Sequence, residues 1–264
     1  MTPLDGVILV DKPAGVTSHD VVAGVRRRLG RGSKVGHAGT LDPFATGLLL
    51  ILVGRATRVQ RFLMALGKRY ETVARLGYVS TTGDPEGEIS PGRVPDLSQL
   101  PTGTLRQRPP AYSAVKVGGQ RAYKLARRGE EVELAEREVQ VTRFELLWRD
   151  DDRAAFAIDC SSGTYVRSLI ADLGDAYCLE LRRTGIGRFD VSDADPERIV
   201  PLDDALAFLP ALDLAPDDAK RAGHGVAVPG RSEGVVRLRD ADGLIALAEP
   251  RGDGTLKPIV GFRG

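Results

Sequence analysis

Apolar positions in this chain fall into short runs and alternations, with few long stripes. Gly6 to Val10 reads as a short buried strand, stopped by Asp11-Lys12-Pro13-Ala14-Gly15. The run Leu48 to Val53 is long enough for a buried strand, although periodicity alone leaves a buried helix open. Lys68 to Gly77 alternates as a half-buried strand does. Glu138 to Leu147 and Ala154 to Cys160 alternate as a pair about the turn Asp150-Asp151-Asp152-Arg153. Helical spacing appears in four places. Thr17-Ser18-His19-Asp20 offers N-caps for a helix to about Leu29 that carries Val21, Val22 and Val25 on one side. Val59, Phe62, Leu63 and Leu66 form a stripe over 57–66. Gly163 and Thr164 open a helix ending near Leu173-Gly174, and 202–209 also reads as helical. After Pro210 four short apolar runs (225–229, 234–238, 244–248, 258–262) predict a small β-rich unit. The expected architecture is α+β: a mixed, largely antiparallel sheet with flanking helices over 1–209, and a compact β domain over 210–264.

Composition changes this picture little. The 264 residues are 42% hydrophobic and 28% charged, as in a globular protein. No apolar run approaches a bilayer span, and the first residues lack a basic signal-peptide start, so a cytoplasmic protein is expected. Cys160 and Cys178 form no CxxC pair, so no metal site is expected and two reduced, buried thiols are. Charge distribution says more than the net +1. Residues 1–75 hold twelve Lys/Arg against five Asp/Glu, and 102–129 hold seven Lys/Arg and no acid. Such asymmetry suits basic surfaces facing a polyanion, although charge runs are commonly solvated helix faces.

The candidate chemistry sits in Gly36-His37-Ala38-Gly39-Thr40-Leu41-Asp42-Pro43-Phe44-Ala45-Thr46-Gly47. Glycines at 36, 39 and 47 allow unusual backbone and close approach. Pro43 stiffens the chain and biases Asp42 towards an extended conformation. On pattern alone Asp42-Pro43 is a turn. GHAGTLDPFATGLL nevertheless resembles the catalytic-aspartate motif of the bacterial tRNA pseudouridine synthase B (TruB) family. DKPAGVTSHDVV, KRYETVARLG, RPPAYSAVK, CSSGTYVRSLIADLG and LRRTGIGRF resemble further segments of that family, so the likeness covers most of the chain.

The resemblance implies the pseudouridine synthase fold, with a mobile thumb insertion at about 108–138 and a C-terminal PUA-like RNA-binding domain. It implies isomerisation of uridine to pseudouridine at position 55 in the T loop of tRNA, without a cofactor, by a monomer that needs no protein partner. Asp42 is the implied catalytic carboxylate, and Arg167 pairs with it through a bidentate contact that lowers its pKa. Tyr70 stacks on the flipped base and is a candidate for handling its C5 proton. His37 fills the space left in the RNA loop. Gly39, Thr40 and Leu181 line the site, and Lys12 is a candidate phosphate contact. Tyr112, Lys116, Arg121, Lys124 and Arg127 are the implied RNA contacts of the thumb, with Gly118 and Gly119 as hinges. One departure stands out. The family's longer stretch before LRR, containing Gly-Ala-His, is here only Asp175-Ala176-Tyr177-Cys178. Two other readings belong beside this one: a non-catalytic tRNA-folding chaperone, and a pseudouridine synthase acting on another RNA.

Overall fold

The structure is a computed structural model that describes residues 5–30, 32–113, 115–122, 125, 128–130, 132 and 134–263. Unbroken apolar runs give the strands Gly6–Lys12 (β1) and Thr46–Val53 (β3) and alternation gives Lys68–Leu76 (β4), with helix α1 (Ser18–Leu29) and the short β2 (Val35–His37) between them. A 3-10 turn over Gly54–Val59 and helix α2 (Gln60–Ala65) replace the single helix expected over 57–66. Then follow β5 (Tyr78–Ser80), β6 (Ile89–Pro91), β7 (Gly103–Gln107), β8 (Lys116–Val117), β9 (Gln120–Arg121), β10 (Arg137–Asp150) and β11 (Arg153–Cys160). Helix α3 (Val166–Ala171) leads to β12 (Ala176–Ile186), β13 (Phe189–Asp190) and β14 (Asp195–Pro201), and only Leu202–Ala205 (α4) of the stretch 202–209 is α-helical. The C-terminal part contains β15 (Ala211–Asp213), α5 (Pro216–Gly223), β16 (Val228–Pro229), β17 (Val236–Asp240), β18 (Gly243–Pro250) and β19 (Thr255–Gly261).

The large sheet runs β14-β1-β3-β12-β4-β11-β10-β7, with β2 on β3 and β13 on β12. Its pairings are antiparallel except β3 with β12, which are parallel over Thr46–Arg182 and Gly47–Arg183. The two halves of the sheet therefore meet at a seam only two residue pairs long, and the loop bearing Asp42 enters β3 at that seam. The run Leu48 to Val53 is apolar throughout because β3 is buried on both faces. Leu49, Ile51 and Val53 pack with Ile8, Val22 and Val25 of α1, while Leu48, Leu50 and Leu52 pack with Val7, Leu9 and Leu63. Thr17 caps α1 reciprocally with Asp20, as a capping box requires.

The second sheet runs β15-β17-β18-β19-β16. Its own core is small and includes Ala219 and Ala222 of α5, a helix that the apolar runs did not reveal because alanines form its buried face. Leu247 and Phe262 reach out of this sheet into the core that holds Val7, Leu9 and Leu48. Arg58 Nη1 donates to the Gly261 carbonyl at 2.6 Å, and Arg55 donates to that of Phe262. The C-terminal sheet is thus packed onto the larger one.

Candidate active site

The loop carrying Asp42 is held at every neighbouring residue. Arg183 Nη2 and Nη1 donate to the carbonyls of Gly39 (3.1 Å) and Thr40 (3.3 Å). Leu41 N donates to Ser18 Oγ at 2.9 Å, and that hydroxyl donates back to the Leu41 carbonyl. The Pro43 carbonyl accepts from Gly15 N (2.8 Å) and Lys12 Nζ (3.3 Å). Ala45 N closes the turn on the Asp42 carbonyl at 3.2 Å. Gly39 has φ +101° and Gly47 φ +104°; at Gly47 a Cβ would lie 2.2 Å from the Arg183 carbonyl oxygen, so β3 and β12 can meet only at a glycine. The sequence turn signal at Asp42-Pro43 and the anchored carboxylate are therefore the same feature.

Asp42 keeps 31% of its side chain exposed, whereas Arg167 beside it is 3% exposed. Arg167 sits in the first turn of α3 and is enclosed by the β5–β6 hairpin and the chain at Tyr112. Its Nε meets Asp42 Oδ2 at 2.9 Å. Nη1 donates to the Thr82 carbonyl (2.7 Å) and to Asp84 Oδ2 (3.1 Å), and Nη2 donates to the Tyr112 carbonyl (2.8 Å). The expected bidentate pairing with Asp42 is therefore corrected to a single contact, because both outer nitrogens are taken elsewhere. The contact does lower the Asp42 pKa, as expected, but it does not set the balance. Burial pushes its carboxyl upward, Arg167 opposes that, Asp84 adds to it, and the outcome is a raised value.

Asp84 is the residue that sequence reasoning missed. Thr81 to Glu88 reads as a polar turn, yet Asp84 is buried. Its Oδ1 accepts from Thr82 Oγ1 (2.6 Å) and Glu86 N (3.1 Å) while Oδ2 faces Arg167. The readable signal was an Asp flanked by Thr82-Gly83 and Pro85, which folds a tight loop round a carboxylate. Arg183 was missed as well.

Tyr70 lies on the buried face of β4 in one apolar cluster with Leu41, Ala45 and Leu181. Burial raises its phenol pKa, and Arg183 pulls in the opposite direction. Leu181 is buried although the segment before it is short, because Ala176 to Cys178 are strand and not loop, and pair with Leu76 to Ala74. His37 ends β2, with its ring edge-on to His19 at 5.4 Å. Lys12 is corrected from a surface contact to a fully buried cation. It donates to the carbonyls of Pro13, Val16 and Pro43, which leaves it a brace for the loop. Burial lowers its pKa, and Asp42 opposes that.

In the thumb segment, Tyr112 touches the site through its carbonyl on Arg167. Gly118 and Gly119, at φ +56° and +84°, form the two-residue turn of the β8–β9 hairpin. Lys116 and Arg121 occupy the strands of that hairpin. Their side chains, and residues Lys124 and Arg127, lie outside the described residues. No group of three or more His, Cys, Asp or Glu suited to a metal occurs among the described residues, and no described helix is long and apolar enough to cross a membrane.

Comparison with known proteins agrees with this geometry. Residues 26–166 match the TruB family pseudouridylate synthase (N terminal domain). A tRNA pseudouridine synthase B of Thermobifida fusca (strain YX) is 44% identical over 98% of this chain and 99% of its own length. That of Mycobacterium tuberculosis (strain CDC 1551 / Oshkosh) is 42% identical over 95% and 93%. Among solved structures, an H/ACA ribonucleoprotein bound to a substrate RNA containing 2′-deoxyuridine matches 98% of this chain and 85% of its own, with TM-score 0.72 at 25% identity. A Cbf5–Nop10–Gar1 complex matches 98% and 84%, with TM-score 0.71 at 28% identity. The anchored carboxylate, its buried arginine and the near full-length similarity place this chain in the TruB family of pseudouridine synthases.

Proposed function

We propose that this chain isomerises uridine 55 in the T loop of tRNA to pseudouridine, with Asp42 as the reacting carboxylate, and that it works without a protein partner. The observation that carries the reading is the Arg167–Asp42 ion pair on an immobilised loop. It occurs in a chain 42–44% identical to proteins named tRNA pseudouridine synthase B. The reaction breaks the N1–C1′ bond, turns the uracil and joins C5 to C1′. Atoms are conserved and no redox change occurs. The reactants remain in one site, so the main demands are a flipped base, a charged carboxylate and a fixed geometry.

Arg167 opposes the burial that favours the neutral form of Asp42. Tyr70, next to Leu41 and Leu181, supplies an aromatic surface for the uracil. His37 stands in the RNA loop where the base has left, with the thumb closing on the stem. The C-terminal sheet, as a PUA-like module over 210–264, extends the RNA contact.

The test uses an unmodified tRNA transcript with wild-type protein and Asp42→Asn. Pseudouridine is scored at every uridine, and binding by filter retention. The expected result is modification at the T-loop site alone by wild type, and binding without product by the variant. Product from the variant overturns the role of Asp42. Tight binding without product by wild type favours the chaperone reading or another RNA.

A further inference from the structure

Arg183 is the largest of the fully buried side chains among the described residues, with 1% exposure. Its surroundings are unusual for a cation. Its guanidinium donates to three main-chain carbonyls: Nε to Leu48 (2.8 Å), Nη1 to Thr40 and Nη2 to Gly39. Those carbonyls lie on both sides of Asp42, at the entry of its loop and at the start of β3. The backbone of Arg183 is itself fixed between two strands. It faces Gly47 across the parallel seam and Tyr70 across the antiparallel one. The guanidinium also acts on the Tyr70 hydroxyl, which it holds toward the ionised form.

A buried guanidinium costs several kcal/mol in desolvation, so burying one to serve carbonyls that a glycine-rich loop could have left to water calls for a reason. The planar fork supplies it. One rigid group reaches two successive carbonyls with its ends and a third with Nε, which a lysine ammonium does not reproduce. The loop carbonyls and the phenol then share one reference frame.

We propose that Arg183 is a positioning residue for the reaction: it fixes the carboxylate of Asp42 and the ring of Tyr70 relative to each other. This rests on the reading of Asp42 and Tyr70 given above. Arg183 touches neither base nor sugar, and its influence passes through the loop and the phenol. Its removal therefore slows the chemical step and leaves RNA affinity in place.

The experiment measures single-turnover rates at saturating enzyme and tRNA Kd for wild type, Arg183→Lys, Arg183→Met, Tyr70→Phe and the double variant Arg183→Lys with Tyr70→Phe. A misplacement of the loop by part of an ångström predicts a rate loss of about tenfold or more in Arg183→Met, with Kd within about twofold. Arg183→Lys, which keeps the buried charge, recovers part of that loss, and it carries the test alone if the Met variant does not fold. If Arg183 works through Tyr70, the double variant is slower than wild type by much less than the product of the two single effects. A fully multiplicative loss, an unchanged rate in both Arg183 variants, or a loss residing wholly in Kd overturns the proposal. Tyr70→Phe at the wild-type rate, or an active Asp42→Asn, instead brings down the reading on which it rests.

Discussion

Replacing Asp84 by asparagine tests how the buried charges divide their work. In the native site Oδ1 accepts two hydrogen bonds, from Thr82 Oγ1 and Glu86 N, while Oδ2 accepts from Arg167 Nη1. An amide has one acceptor atom and one donor atom. If the oxygen stays with Thr82 and Glu86, the new NH2 group faces an N–H of Arg167; if it flips, two loop donors lose their acceptor. Losing one charge-assisted bond in this buried place costs about 2 kcal/mol of stability. Arg167 keeps its contact with Asp42 but loses one of the bonds that aim it, and a comparable share of transition-state positioning goes with it. That corresponds to a rate lower by roughly 10 to 100-fold at the pH plateau. The pH dependence moves the other way. Asp84 is one of the groups that raise the Asp42 pKa, so its neutralisation lowers that pKa. The chemistry needs Asp42 ionised, so the acid limb of the rate profile moves to lower pH even as the plateau falls. Single-turnover tritium release from tRNA labelled at C5 of uridine, between pH 5 and 8, separates the two effects. An acid limb that moves to higher pH, or an unchanged plateau, refutes the reasoning.

Two further perturbations act on stability. Burial lowers the Lys68 amine from 10.5 to about 8. Between those values the unfolded chain binds a proton that the folded chain does not. The wild type therefore gains up to about 1.4 kcal/mol per pH unit across that window relative to Lys68→Met, and carries the whole cost of the buried ammonium below it. Urea midpoints at pH 7.5 and 9.5 check this, and a constant offset between the two proteins contradicts it. Gly47→Ala drives a Cβ to 2.2 Å from the Arg183 carbonyl at a positive φ, so the seam must open. The expected loss is roughly 3 kcal/mol or more, read from chemical denaturation, and an unperturbed midpoint would mean that the two strands are not held this closely.

The framework was legible because period and burial coincide. The alternation in Lys68 to Leu76 became β4, and the unbroken run at Leu48 to Val53 became a strand buried on both faces. The capping signal at Thr17 became a capping box. What escaped was set by partners distant in the chain. The family resemblance points Arg167 at Asp42, whereas its further partners, Asp84 and the carbonyls of Thr82 and Tyr112, are gathered round it only by the fold. Asp84 carries a turn signature whether its carboxylate meets water or a buried guanidinium. The charge pattern of the basic N-terminal third suits a surface for a polyanion, yet several of its cations are tied to the protein's own carbonyls. Lys12 and Lys68 are buried on carbonyls, Arg26 donates to Val35, and Arg55 and Arg58 bind the C-terminal sheet. Charge counts along a sequence do not distinguish a cation facing solvent from one that braces the backbone.

That distinction bears on how the site responds to its substrate. In the free protein Asp42 is partly exposed and already raised by burial. A flipped base that covers it removes more water, and the phosphates that arrive with the base add negative potential. Both changes raise the carboxyl further. The same loss of water strengthens the Arg167 contact, but that contact is single and shared with Asp84. Two raising influences thus act against a divided Arg167 and a more weakly acting Lys12. The acid limb of kcat, which reports the complex, is therefore expected at higher pH than that of kcat/KM, which reports the free enzyme. Steady-state profiles on one tRNA transcript at fixed ionic strength give both limbs. If the limb for kcat lies at lower pH, the RNA must bring a compensating positive group to Asp42, and the described residues of the thumb would be the place to look for it.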